Sequence, residues 1–598
     1  MQAVQDLVTP TTTTRTIAVL DDSELTDGSM KQVDFVSEGK VLLSKLRGNV
    51  HATSAFCTHY GAPLAKGTLE SSGRVVCPWH GACFNVCTGD IEDAPAVDNI
   101  HSFKAEVKDG KIYVTATEAE TLKKNMVKAP SVTSQSAEAV SDHGVVIVGG
   151  GAGALHTIES LRLHGYAGAI MMISLEPYAP IDRTKLSKAL TADASKIEFR
   201  TPEVLKNKYG VGFHTGAQVT SVDTDNKTVT IGGGSGGSSG QTVKYGTLVL
   251  AVGSIPKKLP VNGVDLGNVL VLRQVGDAKN IDSALQAGAL ESAKRLVVIG
   301  SSFISMELVV AVAKRGLRSI DVVGQEEVPF ESVLGKEIGA GLMKYHEKNG
   351  VKFHMGAAGG VKEFKPSSSN PKVVGSVVLE DGTELPADVV VLGVGVRPAT
   401  DFLKDTKLKD AMREDGGLYV DGQLLVKGFK DVYAIGDIAV YPQPKDGQMR
   451  RIEHWNVANN HGRAVGQIIG NPDNLSVTFA KVPIFWSAPS LPRLISLIIL
   501  LALKNVALEG QQLRYCGIGE GYDDIIIQGS PDEMKFVSYY VKDNKIVAVA
   551  SMQKDPIVTR CAELIRLNVM PTPEEIRDGK DPLTVNITTK PIHTAYAA

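Results

Sequence analysis

An imbalance of charge is the first thing this chain lacks. Its 598 residues hold 63 Lys and Arg against 66 Asp and Glu, a net charge of −3. That gives no electrostatic reason to expect nucleic acid or an anionic membrane as the main partner. Cysteine is scarce too: six in the whole chain argue against a disulfide framework and for a reducing compartment. The uncharged run Leu494 to Leu503 is ten residues, too short to cross a bilayer, so no transmembrane anchor is expected. The opening MQAVQDLVTPTTTTRTIAV has no apolar signal core, and the closing TAYAA carries no address. Both lead to the expectation of a cytoplasmic protein, with mitochondria as the alternative. Length is abundant: 598 residues exceed one core and call for three or four domains.

The most informative stretch is CTHYGAPLAKGTLESSGRVVCPWHG, Cys57 to Gly81. Cys57 and His59 form one pair, seventeen residues follow, and Cys77 and His80 form a second. Two thiolates can hold one iron while two imidazoles hold the other, the mixed ligation of a [2Fe-2S] centre. Gly61 and Gly81 allow tight loop ends, and Pro63 and Pro78 stiffen them. A tetrahedral zinc is the competing reading, but each pair here mixes Cys and His, whereas zinc fingers usually separate them. The stretch resembles a Rieske iron–sulfur domain. High-potential members of that family carry a further Cys in each loop; Ala62 and Trp79 stand there instead. The resemblance therefore implies the low-potential type, nearer roughly −150 mV than +300 mV. Cys83 and Cys87 follow closely and are read as a small buried residue and a spare thiol.

Short alternating runs predict an all-β domain over residues 16–117, and residues 118–143, without apolar period, predict a solvated linker. VVIVGGGAGALHTIESLR then reads as strand, glycine turn and helix. Gly149 makes the turn, Gly151 admits a pyrophosphate, Ala154 allows close packing, and Glu176, 22 residues on, suits a ribose. A second unit, RLVVIGSSFISMELVVAVAKRG, keeps Gly300 but has Ser302 and Ser305 at the next two glycine positions. Gly324 ends its second strand where an acid is expected. Two such units imply two dinucleotides, FAD and NAD(P)H. Strands ending at Gly253 and Gly395 lie at the crossings between them, and Asp437 follows a third strand toward a flavin ribityl chain. Together these stretches resemble the FAD-dependent pyridine nucleotide-disulfide oxidoreductases.

Within that superfamily YAPIDRTKLSK resembles a flavin-contacting segment of ferredoxin-reductase-like and apoptosis-inducing-factor-like enzymes, with Arg183 and Lys188 matching. The resemblance implies that Lys188 lies near flavin N5, paired with Glu307, as the catalytic pair. It also implies that His454 and Trp455, in EHWNVANNHGRAVG, lie by the pyrimidine end. With the cluster motif in front, residues 30 to 565 resemble the Rieske-bearing branch of the apoptosis-inducing-factor-like flavoproteins. No Cys-X4-Cys follows the first glycine helix, which argues against a flavin-driven redox disulfide. No His-X4-His supplies the mononuclear iron site of a Rieske oxygenase.

The expected architecture is therefore multidomain: an all-β Rieske domain (16–117), a linker (118–143), an α/β FAD-binding domain (144–270 and 396–480), an α/β NAD(P)-binding domain (271–395), a small α+β C-terminal domain (481–575) with an apolar insertion (489–510), and a tail (576–598). The expected function is electron passage among NADH or NADPH, FAD and one [2Fe-2S] cluster, with a protein as the possible acceptor or donor and the linker letting the cluster approach the flavin and then that partner. The alternative is a signalling protein with structural cofactors.

Overall fold

The computed structural model describes residues 13–128, 144–232, 240–286, 293–356, 360–472, 478–489 and 512–588. Alternation builds the first domain. Six antiparallel strands run in the order Thr14–Asp21, Lys111–Thr117, Ser102–Lys108, Asn49–Ser54, Gly39–Leu46, Met30–Phe35. Phe35, Val41, Leu43, Ile112 and Val114 form their buried core. A smaller sheet of Thr68–Leu69, Arg74–Val76, Cys83–Asn85 and Ile91–Asp93 carries the two Cys/His loops.

The expected linker is not solvated at its start. Thr117 caps the short helix Glu118–Thr121, and Glu120 returns the bond to the Thr117 N–H. Lys123 then lies 4.9 Å over the Phe56 ring, and Val127–Lys128 pairs with Asn99–Ile100 of the first domain. The capping box and these contacts turn a polar composition into an ordered extension. Residues 129–143 lie outside the described residues.

Two five-stranded parallel sheets follow with matching topology. The first runs Val211–Thr215, Ile170–Ser174, Val145–Val148, Thr247–Leu250, Val432–Ala434. The second contains Val351–Met355, Ser319–Gly324, Arg295–Ile299, Val389–Leu392, Val269–Val271. Their central strands are continuous apolar runs because parallel sheets are covered on both faces. Ser254–Pro256 pairs with Val396–Pro398 at the crossing, and Val269–Val271 already belongs to the second sheet. The second unit thus starts ahead of the expected residue 271.

A five-stranded antiparallel sheet, Ile484–Ser487, Leu513–Gly517, Lys545–Met552, Lys535–Lys542, Asp524–Ser530, ends the chain with the helix Ile557–Arg566 on one face. Apart from Pro489, whose carbonyl lies 2.6 Å from His346 Nε2, the expected insertion lies outside the described residues. The expected tail begins by packing: Ile587 is buried and its carbonyl accepts from the Ser71 N–H at 3.0 Å. Among the described residues no helix is long and apolar enough to cross a membrane.

The first domain is bound to the others at many points, which sets the cluster loops against the reductase. Arg200 pairs with Asp98 at 2.5 Å, Arg566 with Glu70 at 2.5 Å, and Lys481 with Asp93. The buried Arg463 donates to the carbonyls of Ile91 and Glu92, and Asn460 accepts from the Ala94 N–H at 2.9 Å. Asp93 is buried and its carboxyl, despite burial, is held well below the usual range by Arg74 and Lys481.

Candidate functional site

The two Cys/His loops have one backbone design. Cys57 N–H donates to Ala62 O at 2.9 Å and Cys77 N–H to Ala82 O at 2.8 Å, while Gly61 and Gly81 both take φ near 75°. The design brings all four expected ligands together. His59 Nδ1 and His80 Nδ1 face each other at 3.2 Å, and the buried Cys57 and Cys77 thiols hydrogen-bond each other. Burial pushes the Cys57 thiol up. Cys77 is drawn down although burial opposes this, because Cys57 and the backbone N–H groups of Trp79 and His80 favour its thiolate. Burial, then Lys185 and Arg514, hold His59 down to about 3, and burial with Arg514 lowers His80 well below its usual value. Both imidazoles are thus in the neutral, metal-binding form.

His80 Nε2 lies 3.2 Å from Gln512 Oε1, a bond that fixes the ring and leaves Nδ1 for a metal. Among the described residues no three His, Cys, Asp or Glu side chains gather around one point fit for a single ion. The donors form a thiol pair and an imidazole pair, an arrangement that fits a two-iron cluster better than a tetrahedral zinc.

At the first nucleotide turn Gly149 has φ 124°, and a Cβ there would come 2.1 Å from Ala251 O, so only glycine fits. Gly151 precedes the helix Ala152–Leu163, receives no side-chain cap, and has open space where a Cβ would stand. That uncapped helix start suits a pyrophosphate. Ala154 is fully buried against the sheet. Arg183 holds both carboxylate oxygens of Glu176, at 2.9 and 2.6 Å, and donates to Arg273 O at 2.6 Å. Arg183 keeps Glu176 ionised against its burial. Asp437 accepts from Ser254 at 2.6 Å and Arg273 at 2.8 Å, beside Gly253. Arg273 was not among the expected residues; its only signal was a lone cation in VLRQVGD.

Lys188 pairs with Glu307 at 2.9 Å, and Ser487 donates to the same Glu307 at 2.7 Å. Trp455 opens the helix Trp455–Gly470, and its indole N–H is buried without a hydrogen-bond partner. Burial and Lys188 hold His454 down to about 3, so it is neutral near pH 7. These orphaned and charged groups fit an isoalloxazine bound beside Lys188. The sequence reading missed Trp486. Its ring lies 4.5 Å from His80, 5.6 Å from His59, and 6.1 Å from both His454 and Trp455.

The second turn keeps the backbone demand. Gly300 has φ 99°, and a Cβ would meet Gly393 O at 2.3 Å. Exposed Ser302 precedes the helix Phe303–Val312 without a side-chain cap, and Gly395 borders open space. Ser305 is buried, close against Gly393, and its hydroxyl has no hydrogen-bond partner. The strand register also gives Glu176 a positional counterpart in the second unit. Gly149 N–H donates to Ile173 O and Gly300 N–H to Val323 O; Glu176 O accepts from Gly216 and Glu326 O from Gly356. By that correspondence the counterpart of Glu176 is Glu326, while Gly324 leaves room for the Ser301 hydroxyl.

Comparison with known proteins agrees with this layout. Residues 143–462 match the pyridine nucleotide-disulphide oxidoreductase model, residues 15–104 the Rieske [2Fe-2S] domain, and residues 509–585 the reductase C-terminal domain. Apoptosis-inducing factor 3 of Mus musculus is 37% identical over 91% of this chain and 82% of its own length. The ferredoxin reductase for the CYP199A2 system of Rhodopseudomonas palustris matches with TM-score 0.62 and 27% identity, over 72% of this chain and 96% of that one. The covalent putidaredoxin reductase–putidaredoxin complex matches with TM-score 0.61 and 26% identity, over 71% of this chain and 93% of that one. The chain therefore belongs to the pyridine nucleotide-disulphide oxidoreductase family, as an FAD- and NAD(P)H-using oxidoreductase of apoptosis-inducing-factor-like type that carries an N-terminal Rieske [2Fe-2S] domain.

Proposed function

We propose that the chain is an NADH oxidoreductase that moves electrons internally between its flavin and its cluster, and from there to a separate redox protein. When bound, FAD takes a hydride from the nicotinamide and a [2Fe-2S] cluster of Cys57, His59, Cys77 and His80 carries one electron at a time. The residues do the rest. Gly149, Gly151 and Ala154 admit the FAD pyrophosphate, with Glu176 and Asp437 as ribose and ribityl ligands. Lys188, aligned by Glu307, places a positive charge where the reduced ring gains negative charge. Neutral His454 and Trp455 orient the ring and move no proton. Gly300, Ser302 and Gly395 border the nicotinamide cleft. Glu326 takes the adenosine ribose, and its carboxylate disfavours a 2′-phosphate, which is the basis for NADH over NADPH.

One observation carries the reading: Trp486 stands between the ligand His80 and the pair His454 and Trp455. An aromatic ring there closes the gap between two redox centres. The solved structures that match this chain include a covalent putidaredoxin reductase–putidaredoxin complex, and the reading gives the first domain of this chain the place of such a partner.

Stopped-flow mixing with NADH under anaerobic conditions tests this in the parent and in Trp486→Leu. Flavin bleaching is expected at the same rate in both, with cluster reduction slowed in the variant alone. Equal cluster reduction in both would remove Trp486 from the path. An unbleached flavin in the parent would favour the signalling alternative.

A further inference from the structure

The two cluster histidines differ in what covers them. His80 is 1% exposed, beneath Trp486 and Gln512 of the reductase. His59 lies on the outer side, and what covers it there is Tyr60, stacked at 3.9 Å and 19°. Tyr60 is itself 37% exposed, one of few large aromatic or apolar side chains so open. Its hydroxyl donates to Asp182 Oδ2 at 3.2 Å, which holds the ring flat on the imidazole.

The rim of this patch is cationic. Lys185 stands 3.7 Å from Asp182, with its side chain 42% exposed while that of Asp182 is 5% exposed. Lys123, from the ordered extension after the first domain, lies over Phe56. Its Nζ would be 3.0 Å from a Cβ on Gly61, next to Tyr60. The acid of the patch is therefore buried under the tyrosine while its lysines face outward. An aromatic ring with a charged rim is the composition of a docking site whose partner is chosen by charge.

Resting on the internal route proposed above, we propose that the Tyr60 face, rimmed by Lys123 and Lys185, is the docking surface for an acidic one-electron redox protein. The side facing His80 is closed by the reductase, and among the described residues the approach from outside runs past Tyr60 and His59. Each encounter moves one electron from this chain to the oxidised centre of the partner. No bond forms or breaks, and one hydride from NADH serves two encounters.

The test measures binding of the holoprotein to an acidic plant-type [2Fe-2S] ferredoxin and to basic cytochrome c by surface plasmon resonance, at rising salt. Ferredoxin is expected to bind more tightly than cytochrome c and to weaken with salt. The double variant Lys123→Glu, Lys185→Glu should weaken ferredoxin binding by about tenfold or more, and Lys123→Glu alone should weaken it less, with flavin bleaching and cluster reduction by NADH kept at parent rates in that single variant. Tyr60→Leu should retain binding but slow electron transfer from pre-reduced ferredoxin, whose potential lies below that of a Rieske centre, to the oxidised cluster, which is the downhill direction for this pair. Unchanged ferredoxin binding in the double variant, or tighter binding of cytochrome c, would overturn the proposal. Loss of cluster reduction by NADH in the parent would instead sink the internal route, and the binding measurement stands apart from it.

Discussion

The loops Cys57–Pro63 and Cys77–Cys83 share a backbone and differ in everything around it. Both close on a cysteine N–H bond and a left-handed glycine. Yet a Cβ on Gly81 would strike Ile484 Cδ1 at 2.6 Å, in the reductase, and one on Gly61 would strike the flexible end of Lys123 at 2.6 Å. Both loops touch the reductase, but the second is built into it at its glycine while the first keeps Tyr60 at the surface. Ligation demands the likeness, and the difference gives the cluster an inner and an outer side. A freely swinging iron–sulfur domain would have no use for such asymmetry.

The largest expected effects probe the likeness. Cys57→Ser and Cys77→Ser should each abolish the cluster, read as iron and acid-labile sulfide per chain; retention in either would break the equivalence of the loops. Next comes the anchoring of the inner side. Asp93 closes the strand after the second loop, and Asp93→Ala takes from Lys481 its partner and from Arg74 one of three carboxylates, Glu70 and Glu92 remaining. That should cost about 1–3 kcal/mol in urea unfolding. The same carboxyl has a depressed pKa in the folded protein. Its stabilisation is therefore present above the unfolded value, about 3.9, and is lost as pH falls below it. Acid should thus destabilise the parent more than Asp93→Ala, and equal acid sensitivity would contradict the pairing. The smallest effect separates the loops most finely. Gly61→Ala and Gly81→Ala each meet backbone strain of about 1–2 kcal/mol, and Gly81→Ala adds the collision with Ile484. A melting temperature lower for Gly81→Ala than for Gly61→Ala is expected.

Much of this was legible in the sequence because the informative residues are close together in it. Cys57, His59, Cys77 and His80 announce themselves by spacing, and Gly149, Gly151 and Glu176 by a strand–turn–helix grammar that is local. What escaped was non-local. Trp486 is a single aromatic in VPIFWSA, and its meaning comes from His80, some four hundred residues earlier, being packed on it. Arg273 gains its role from Asp437, and Glu326 from a register set by neighbouring strands. The polar stretch after residue 117 read as a solvated linker because composition does not reveal a capping box closing on itself or a lysine settling on Phe56. Ser302 and Ser305 stood alike at two glycine positions, because spacing shows where a residue falls but not which is exposed and which is buried.

Anaerobic titration of the holoprotein with NADH, followed by absorbance and electron paramagnetic resonance, tests the central claim most directly. The account predicts that flavin bleaching is accompanied by the signal of a mixed His/Cys [2Fe-2S] cluster, shifting toward an all-cysteine signal in His80→Cys. A flavin that bleaches while the cluster stays oxidised, or zinc in place of iron at the four ligands, would contradict it.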